Sequence, residues 1–326
     1  MRQLLVIPAV LALLLAGCSR AANHPDGAAH NATPTSAPHV RVASVDVTWT
    51  AFGARWPLMF RVPFGDAAGE VGARTIPGQP RLIPSALAVT DEGIWILDPV
   101  KHRLCLFDDD GHLVHATPGV DELASDLAID GEGQPVWIDR EPDGLLGRLL
   151  NGRPRSIHVS WHPAFLTQTE QGALLPLYNR SDPQQFASLA SKVRTSIPTG
   201  WGPLRFRQGG QDGLRASIAG DGWVTHLRVH SAGPARVDSV ELRNDVTVDG
   251  ATAYLGLRPG TFTSDARLTI PLYLLEVDLR TGAVSAEKVA RAPADWTNQY
   301  SHFAVHDGVV YQLVVTQNGI EVRRRP

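Results

Sequence analysis

The segment Ser85-Ala86-Leu87-Ala88-Val89-Thr90-Asp91-Glu92-Gly93-Ile94-Trp95-Ile96-Leu97-Asp98 decides the fold, because the chain repeats it 40 residues later. The second copy is Ser125-Asp126-Leu127-Ala128-Ile129-Asp130-Gly131-Glu132-Gly133, followed by Val136-Trp137-Ile138-Asp139. Each copy reads as an apolar strand, a glycine-containing turn and a second strand. The first copy continues into Arg103-Leu104-Cys105-Leu106-Phe107, then Asp108-Asp109-Asp110-Gly111, then Leu113-Val114-His115. Asp-Gly between apolar runs marks a tight turn, because glycine accepts the positive φ that the turn requires. Weaker echoes begin at Phe165-Leu166 (turn Glu170-Gln171-Gly172), at Ala216-Ser217-Ile218 (Gly220-Asp221-Gly222-Trp223), at Val246-Thr247-Val248 (Asp249-Gly250) and at Phe303-Ala304-Val305 (Asp307-Gly308).

About six units of four short antiparallel strands follow from this count. One such sheet has two faces to bury and cannot bury them alone, whereas several packed radially bury both. The sequence therefore predicts an all-β chain, a β-propeller of six four-stranded blades over residues 41–326, with about 47 residues per blade. Five blades stay open if 214–245 is not a full one. The last unit has only three candidate strands, Phe303–His306, Val309–Val315 and Ile320–Arg324, so an N-terminal strand must complete it. Val40–Trp49 and Leu58–Phe64 both qualify. Ser181-Asp182-Pro183 followed by Phe186, Leu189, Ala190 and Val193 at helical spacing predicts one short inserted helix. Thr199-Gly200-Trp201-Gly202-Pro203 places a tryptophan between glycines, in a loop that plugs a gap or closes over a ligand.

The start of the chain carries an address. Arg2 precedes an apolar run from Leu4 to Leu15, too short to span a bilayer, and the run ends in Leu15-Ala16-Gly17-Cys18. These four residues resemble the lipobox of bacterial lipoproteins. The resemblance implies a signal peptide over 1–17 and a Cys18 that carries diacylglycerol and a further acyl chain such as palmitate. Two or three hydrocarbon chains are enough for stable anchoring. Residues 18–40, rich in Ala, Pro, Ser, Thr and His without apolar periodicity, read as a tether with a reach of roughly 25 Å. The expected location is the cell envelope, held to a membrane on its extracytoplasmic side.

The repeat unit itself resembles the NHL repeat. The match is carried by Pro84-Ser85-Ala86-Leu87-Ala88-Val89, Ile94-Trp95-Ile96-Leu97-Asp98 and His102-Arg103-Leu104-Cys105-Leu106-Phe107-Asp108 with Gly111, led in by Phe60-Arg61-Val62-Pro63-Phe64-Gly65 and Gly69-Glu70-Val71-Gly72. It covers residues 60–140 and implies a propeller. Members of that group bind proteins, RNA or small molecules and a few catalyse, so the resemblance implies a fold rather than an activity.

Little in the composition points to chemistry. A formal charge of −3 argues against a nucleic-acid partner, and the one basic run, Arg323-Arg324-Arg325, reads as a solvated strand end. With Cys18 assigned to lipid, Cys105 stands alone in an apolar alternation and reads as a small buried residue. His158/His162, His226/His230 and His302/His306 share i,i+4 spacing, but residues four apart on a strand lie about 13 Å from each other and cannot chelate. Asp98 and Asp139 follow equivalent strands and fall on one rim, either as turn caps or, with Trp201, as ligand-binding residues. Trp95, Trp137 and Trp223 read as packing between blades. No phosphate loop, nucleophile triad, metal-ligand set or dinucleotide fingerprint occurs, so neither cofactor nor metal is expected. The reading is a membrane-anchored module that recognises a protein or an envelope ligand. Its rivals are a lactonase-like metal-dependent hydrolase or lyase, and an assembly scaffold.

Overall fold

The computed structural model describes residues 40–49, 56–78, 81–139, 145–158, 166–169, 172–177, 185–188, 193–194, 196–209, 215–231, 236–241, 246–262, 268–269, 272–289 and 303–326. Signal, Cys18 and nearly all of the tether lie outside them. Among the described residues no helix is long and apolar enough to cross a membrane.

Among the described residues six four-stranded sets form, two of which, IV and VI, join into one ten-stranded sheet with Arg236–Glu241 and Leu268–Thr269 paired to Thr252–Phe262. Sheet I joins Phe303–His306, Val309–Val315 and Gly319–Arg324 to the N-terminal Leu58–Pro63. Sheet II runs Ala86–Thr90, Gly93–Asp98, Arg103–Phe107 and Leu113–Pro118, all antiparallel. Sheet III runs Ser125–Ile129, Pro135–Asp139, Leu145–Leu150 and Arg153–His158. Sheet IV holds Thr167–Thr169, Gly172–Leu177, Gln185–Ser188 and Val193–Arg194. Sheet V holds Arg205–Gly209, Arg215–Gly220 and Trp223–Ser231, with Arg41–Trp49 added in parallel. Sheet VI holds Val246–Asp249, Thr252–Phe262, Leu272–Asp278 and Val284–Val289.

Side-chain alternation explains the packing, since successive residues of a strand point to opposite faces. In sheet II, Leu87, Val89, Ile94, Ile96, Cys105 and Phe107 join Phe60, Val62, Leu313 and Val322 of sheet I in one apolar cluster. The residues between them, Ala86, Ala88, Trp95, Leu97, Leu104 and Leu106, join Leu127, Trp137 and Leu149 of sheet III in another. Both faces are buried, so these strands are apolar almost throughout. Sheet VI likewise gives Leu272, Leu274 and Val289 to sheet I and Val248, Leu255 and Leu275 to sheet V. Sheets stacked face to face in this radial order are a β-propeller.

Of the two N-terminal strands, Leu58–Pro63 closes the ring against Gly319–Arg324. Arg323 is 4% exposed, pairs with Glu321 and donates to the Trp56 carbonyl. Arg325 pairs with Glu276 and Glu287. The basic run is thus not a solvated end: Arg323 ties the seam to Trp56, and Arg325 ties sheet I to sheet VI. The inserted helix is also corrected. Gln185–Ser188 and Val193–Arg194 are strands, and Asp182, Pro183, Leu189 and Ala190 lie outside the described residues. A helix that short is marginal alone, whereas pairing with Gly172–Leu177 gives the same backbone a full set of partners.

Candidate functional site

The first strands of five sheets, Ala86–Thr90, Ser125–Ile129, Thr167–Thr169, Val246–Asp249 and Phe303–His306, surround one cavity of about 400 Å³. The sixth sheet does not reach it. In sheet V the echo at Ala216–Ile218 occupies the second strand rather than the first. The inner strands of sheets IV and VI instead meet directly in parallel register, Thr167 opposite Val246 and Gln168 opposite Thr247. Leu87, Ala88, Val89, Leu127, Ala128 and Phe303 line it together with Thr90, Gln168 and Thr247, and Leu87, Val89 and Leu127 also belong to the cores between sheets.

Two polar residues tie sheet III to sheet IV at this wall. Gln168 accepts from the Ile129 amide at 2.6 Å and donates to the Thr169 carbonyl. Asp126, 2% exposed, accepts from the amides of Leu127 at 2.9 Å and Leu166 at 2.5 Å. Its φ of 53° is left-handed, a strain of about 1–3 kcal/mol that those bonds hold in place.

The strand-to-strand turns after the inner strands put carboxylates on one rim. His306 Nε2 lies 2.8 Å from Asp91 Oδ1 and 3.9 Å from Asp307 Oδ2, and the ligand atoms of all three fall within 4.8 Å of one another. Glu92 and Glu132 line the same cavity. Arg148 contacts Asp130 at 2.6 Å and Glu132 at 2.7 Å. Asp249 accepts from the Gly308 amide at 2.6 Å, linking the turns of sheets VI and I. Asp91, His306 and Asp307 are the residues placed to hold a cation.

The residues singled out from sequence lie elsewhere. Asp98 is fully buried and does not line the cavity; it accepts from the Gly72 amide at 3.1 Å, the Lys101 amide at 3.3 Å and Arg103 Nε at 3.3 Å. Burial pushes its carboxyl up, the Gly72 amide and the Arg103 and Lys101 groups pull it back, and the balance stays above the ordinary 3.8. Lys101 and Arg103 also bind the Ala67, Ala68 and Glu70 carbonyls, so Asp98 organises the lead-in to sheet II. Asp139 ends the equivalent strand of sheet III. Trp201 is 47% exposed, with the Arg280 guanidinium 5.7 Å from its ring, and does not line the cavity. Of the histidine pairs, His226 is exposed on Trp223–Ser231, His158 ends its strand, and His162 and His302 lie outside the described residues.

Sequence reading missed Asp91, His306, Asp307, Asp126 and Gln168. The signal was present in the recurring turns Asp91-Glu92-Gly93, Asp130-Gly131, Asp249-Gly250 and Asp307-Gly308. Inner strands that run the same way around a channel deliver the turns after them to one rim.

No family model matches the chain, and no curated protein matches it in sequence. Among solved structures, the chain is similar to a candidate exported protein from Bacteroides fragilis NCTC 9343, with 11% identity, TM-score 0.47, and 87% of this chain and 99% of that one covered. It is also similar to streptogramin B lyase, with 9% identity, TM-score 0.39, and 78% and 96% covered. A third likeness is to regucalcin, a calcium-binding protein from Agrobacterium tumefaciens str. C58, with 12% identity, TM-score 0.35, and 84% and 95% covered. These are likenesses of fold.

Proposed function

We propose that this chain is a lipid-anchored, extracytoplasmic recognition module that takes its ligand into the channel mouth. The observation that carries the reading is the cavity itself: at about 400 Å³ it falls in the range of ligand sites, and polar groups from several sheets converge on it. The four residues that support the anchor are Leu15-Ala16-Gly17-Cys18.

A metal-dependent hydrolase or lyase is the second reading, favoured by the Asp91, His306 and Asp307 donor set. Metal analysis of the purified protein, with melting measured with and without EDTA, separates the two. A protein indifferent to chelator supports recognition; a stoichiometric ion whose removal lowers the melting temperature transfers the assignment to the hydrolase. The anchor is tested by fractionation: Cys18→Ser is expected to leave the membrane, and tight attachment of the processed variant would overturn the lipid assignment.

A further inference from the structure

We infer that one end of sheet V, carrying Val40, Val42 and Trp201, docks on the surface of the membrane that holds the chain. The inference rests on the lipid anchor proposed above and adds to it a fixed orientation. Of the six large apolar residues that stand exposed among the described residues, these three share this end. Arg41 lies opposite Trp223 and its amide donates to the Gly222 carbonyl at 2.9 Å, so Val40 and Val42 begin beside the turn Gly220-Asp221-Gly222. Gly202 sits against the same turn, where a Cβ on it would meet that of Asp221 at 2.7 Å, which makes Trp201 a neighbour of the turn too. The sheet VI turn 278–282 completes the end: Trp223 donates to the Leu279 carbonyl, and the Arg280 guanidinium lies 5.7 Å from the Trp201 ring.

Two features set this end apart from scattered surface apolar residues. Trp201 is held outward by a closed turn, its own amide donating to Thr199 Oγ1 at 3.1 Å and the Gly202 amide to the Thr199 carbonyl at 3.3 Å. Strand register then puts Val42, Val224, Ala219 and Arg205 in one cross-strand row, on the face opposite to buried Trp223. Tryptophan, aliphatic side chains and arginine are the residues that enter a headgroup layer. What singles out lipid as the occupant is the path of the chain. The segment leading from Cys18 enters the fold at Val40, and a tether reach of roughly 25 Å holds this end within range of the bilayer. A surface presented at such an effective concentration needs little affinity of its own. Arg41, Arg205 and Arg280 stand here with Asp221 and Asp278, close to balance, so apolar insertion rather than charge carries the contact.

Full-length lipidated protein in phosphatidylcholine vesicles that contain a doxyl-labelled lipid tests this. A nitrobenzoxadiazole fluorophore is placed on Val42→Cys or, as reference, on Val114→Cys, an exposed position of sheet II; Cys105 is buried and stays unlabelled. Lipid quenching of the probe at residue 42 is expected to exceed that at residue 114 about threefold, and to fall to the reference level when Trp201→Ala is added. Raising salt to about 500 mM should leave it unchanged, since charge does not carry the contact. Trp201 is exposed, so its truncation spares the fold, which an unchanged melt checks. Equal quenching at the two positions, on protein that stays with the vesicles, overturns the docking and leaves the anchor standing. A preference that survives Trp201→Ala is tether proximity alone, and one that salt abolishes is a charge contact; either overturns it. Shielding of residue 42 from iodide without lipid quenching gives the face to a second copy of the chain and overturns it likewise. Protein that leaves the vesicles altogether overturns anchor and docking together.

Discussion

Sheets II and V have the same number of strands and a buried tryptophan each, yet only one of them builds the channel. In sheet II four antiparallel strands follow one another from Ala86 to Pro118, the inner three bury both faces, and the first lines the cavity. In sheet V three strands recruit Arg41–Trp49 in parallel, leaving Val42 66% exposed, and the inner strands of the neighbouring sheets meet without it. The difference lies between sheets whose pairing is written in local turns and a sheet whose fourth strand comes from about 180 residues away in sequence. Sheet II belongs to the ring, whereas sheet V is applied to one face of sheet VI.

The sharpest way to break this comparison is to cut back the N-terminal strands in two steps. A chain starting at residue 64 loses Leu58–Pro63 as well as Arg41–Trp49, and with it buried Phe60 and Val62, worth roughly 3–6 kcal/mol of apolar burial before any backbone pairing is counted. It is expected to show no cooperative melt by circular dichroism. A chain starting at residue 50 loses only the parallel strand Arg41–Trp49, and should melt cooperatively at a lowered temperature. Equal outcomes for the two would dissolve the distinction between ring and addition.

Trp223→Ala comes next. Trp223 is 2% exposed, packs against Gly282 and donates to the Leu279 carbonyl at 2.8 Å, so its loss should cost about 3–5 kcal/mol by chemical denaturation. Hydrogen exchange should then show faster opening in Arg205–Ser231 while Ala86–Pro118 keeps its protection. Glu321→Gln in the seam should cost about 2–3 kcal/mol, because it leaves the buried Arg323 with the Trp56 carbonyl as its chief acceptor. Burial raises the Glu321 carboxyl, but Arg323 and Arg61 lower it more, so it sits below its ordinary 4.5. A carboxylate depressed in the folded state contributes stability that is present above its unfolded value and lost as pH falls through the folded one. The parent protein should therefore lose melting temperature below about pH 4.5 more steeply than the Gln variant. The smallest effect is expected at Cys105, fully buried in sheet II with its thiol pushed up to about 12 by burial foremost. It should resist a disulfide reagent until denaturant is added, and Cys105→Ala should cost about 1 kcal/mol.

How much was legible follows the same division. Sheet II could be read strand by strand, because Gly93, Gly111 and the Asp108–Asp110 run fix its turns locally; Gly111 takes a φ of 84° against the Phe60 ring. The tryptophans and Cys105 were legible as core for the same reason. Strand Arg41–Trp49 was legible as a strand but its partner was not, since parallel pairing across such a separation leaves no turn to read. In Gln185–Ser188 a helical spacing was outweighed by a sheet edge the sequence does not display. The site was written in the sequence as punctuation. Asp91 and Asp307 look like turn formers, and only closure of the ring sets residues 91 and 306 side by side. The search instead settled on Asp98, which the antiparallel turn carries to the opposite end of the sheet from Asp91.

The seam between Leu58–Pro63 and Gly319–Arg324 has a consequence for the order in which the molecule is made. Arg61 and Glu321 are 260 residues apart, so Leu58–Pro63 waits without the other three strands of sheet I until residues 303–324 are available. Sheets II and III can nucleate early on their own hairpins, but the ring has nothing to shut against until the last strand arrives. Completion is thereby deferred until residues 319–324 are available, and a chain cut before them is left as an open arc with an unpaired edge.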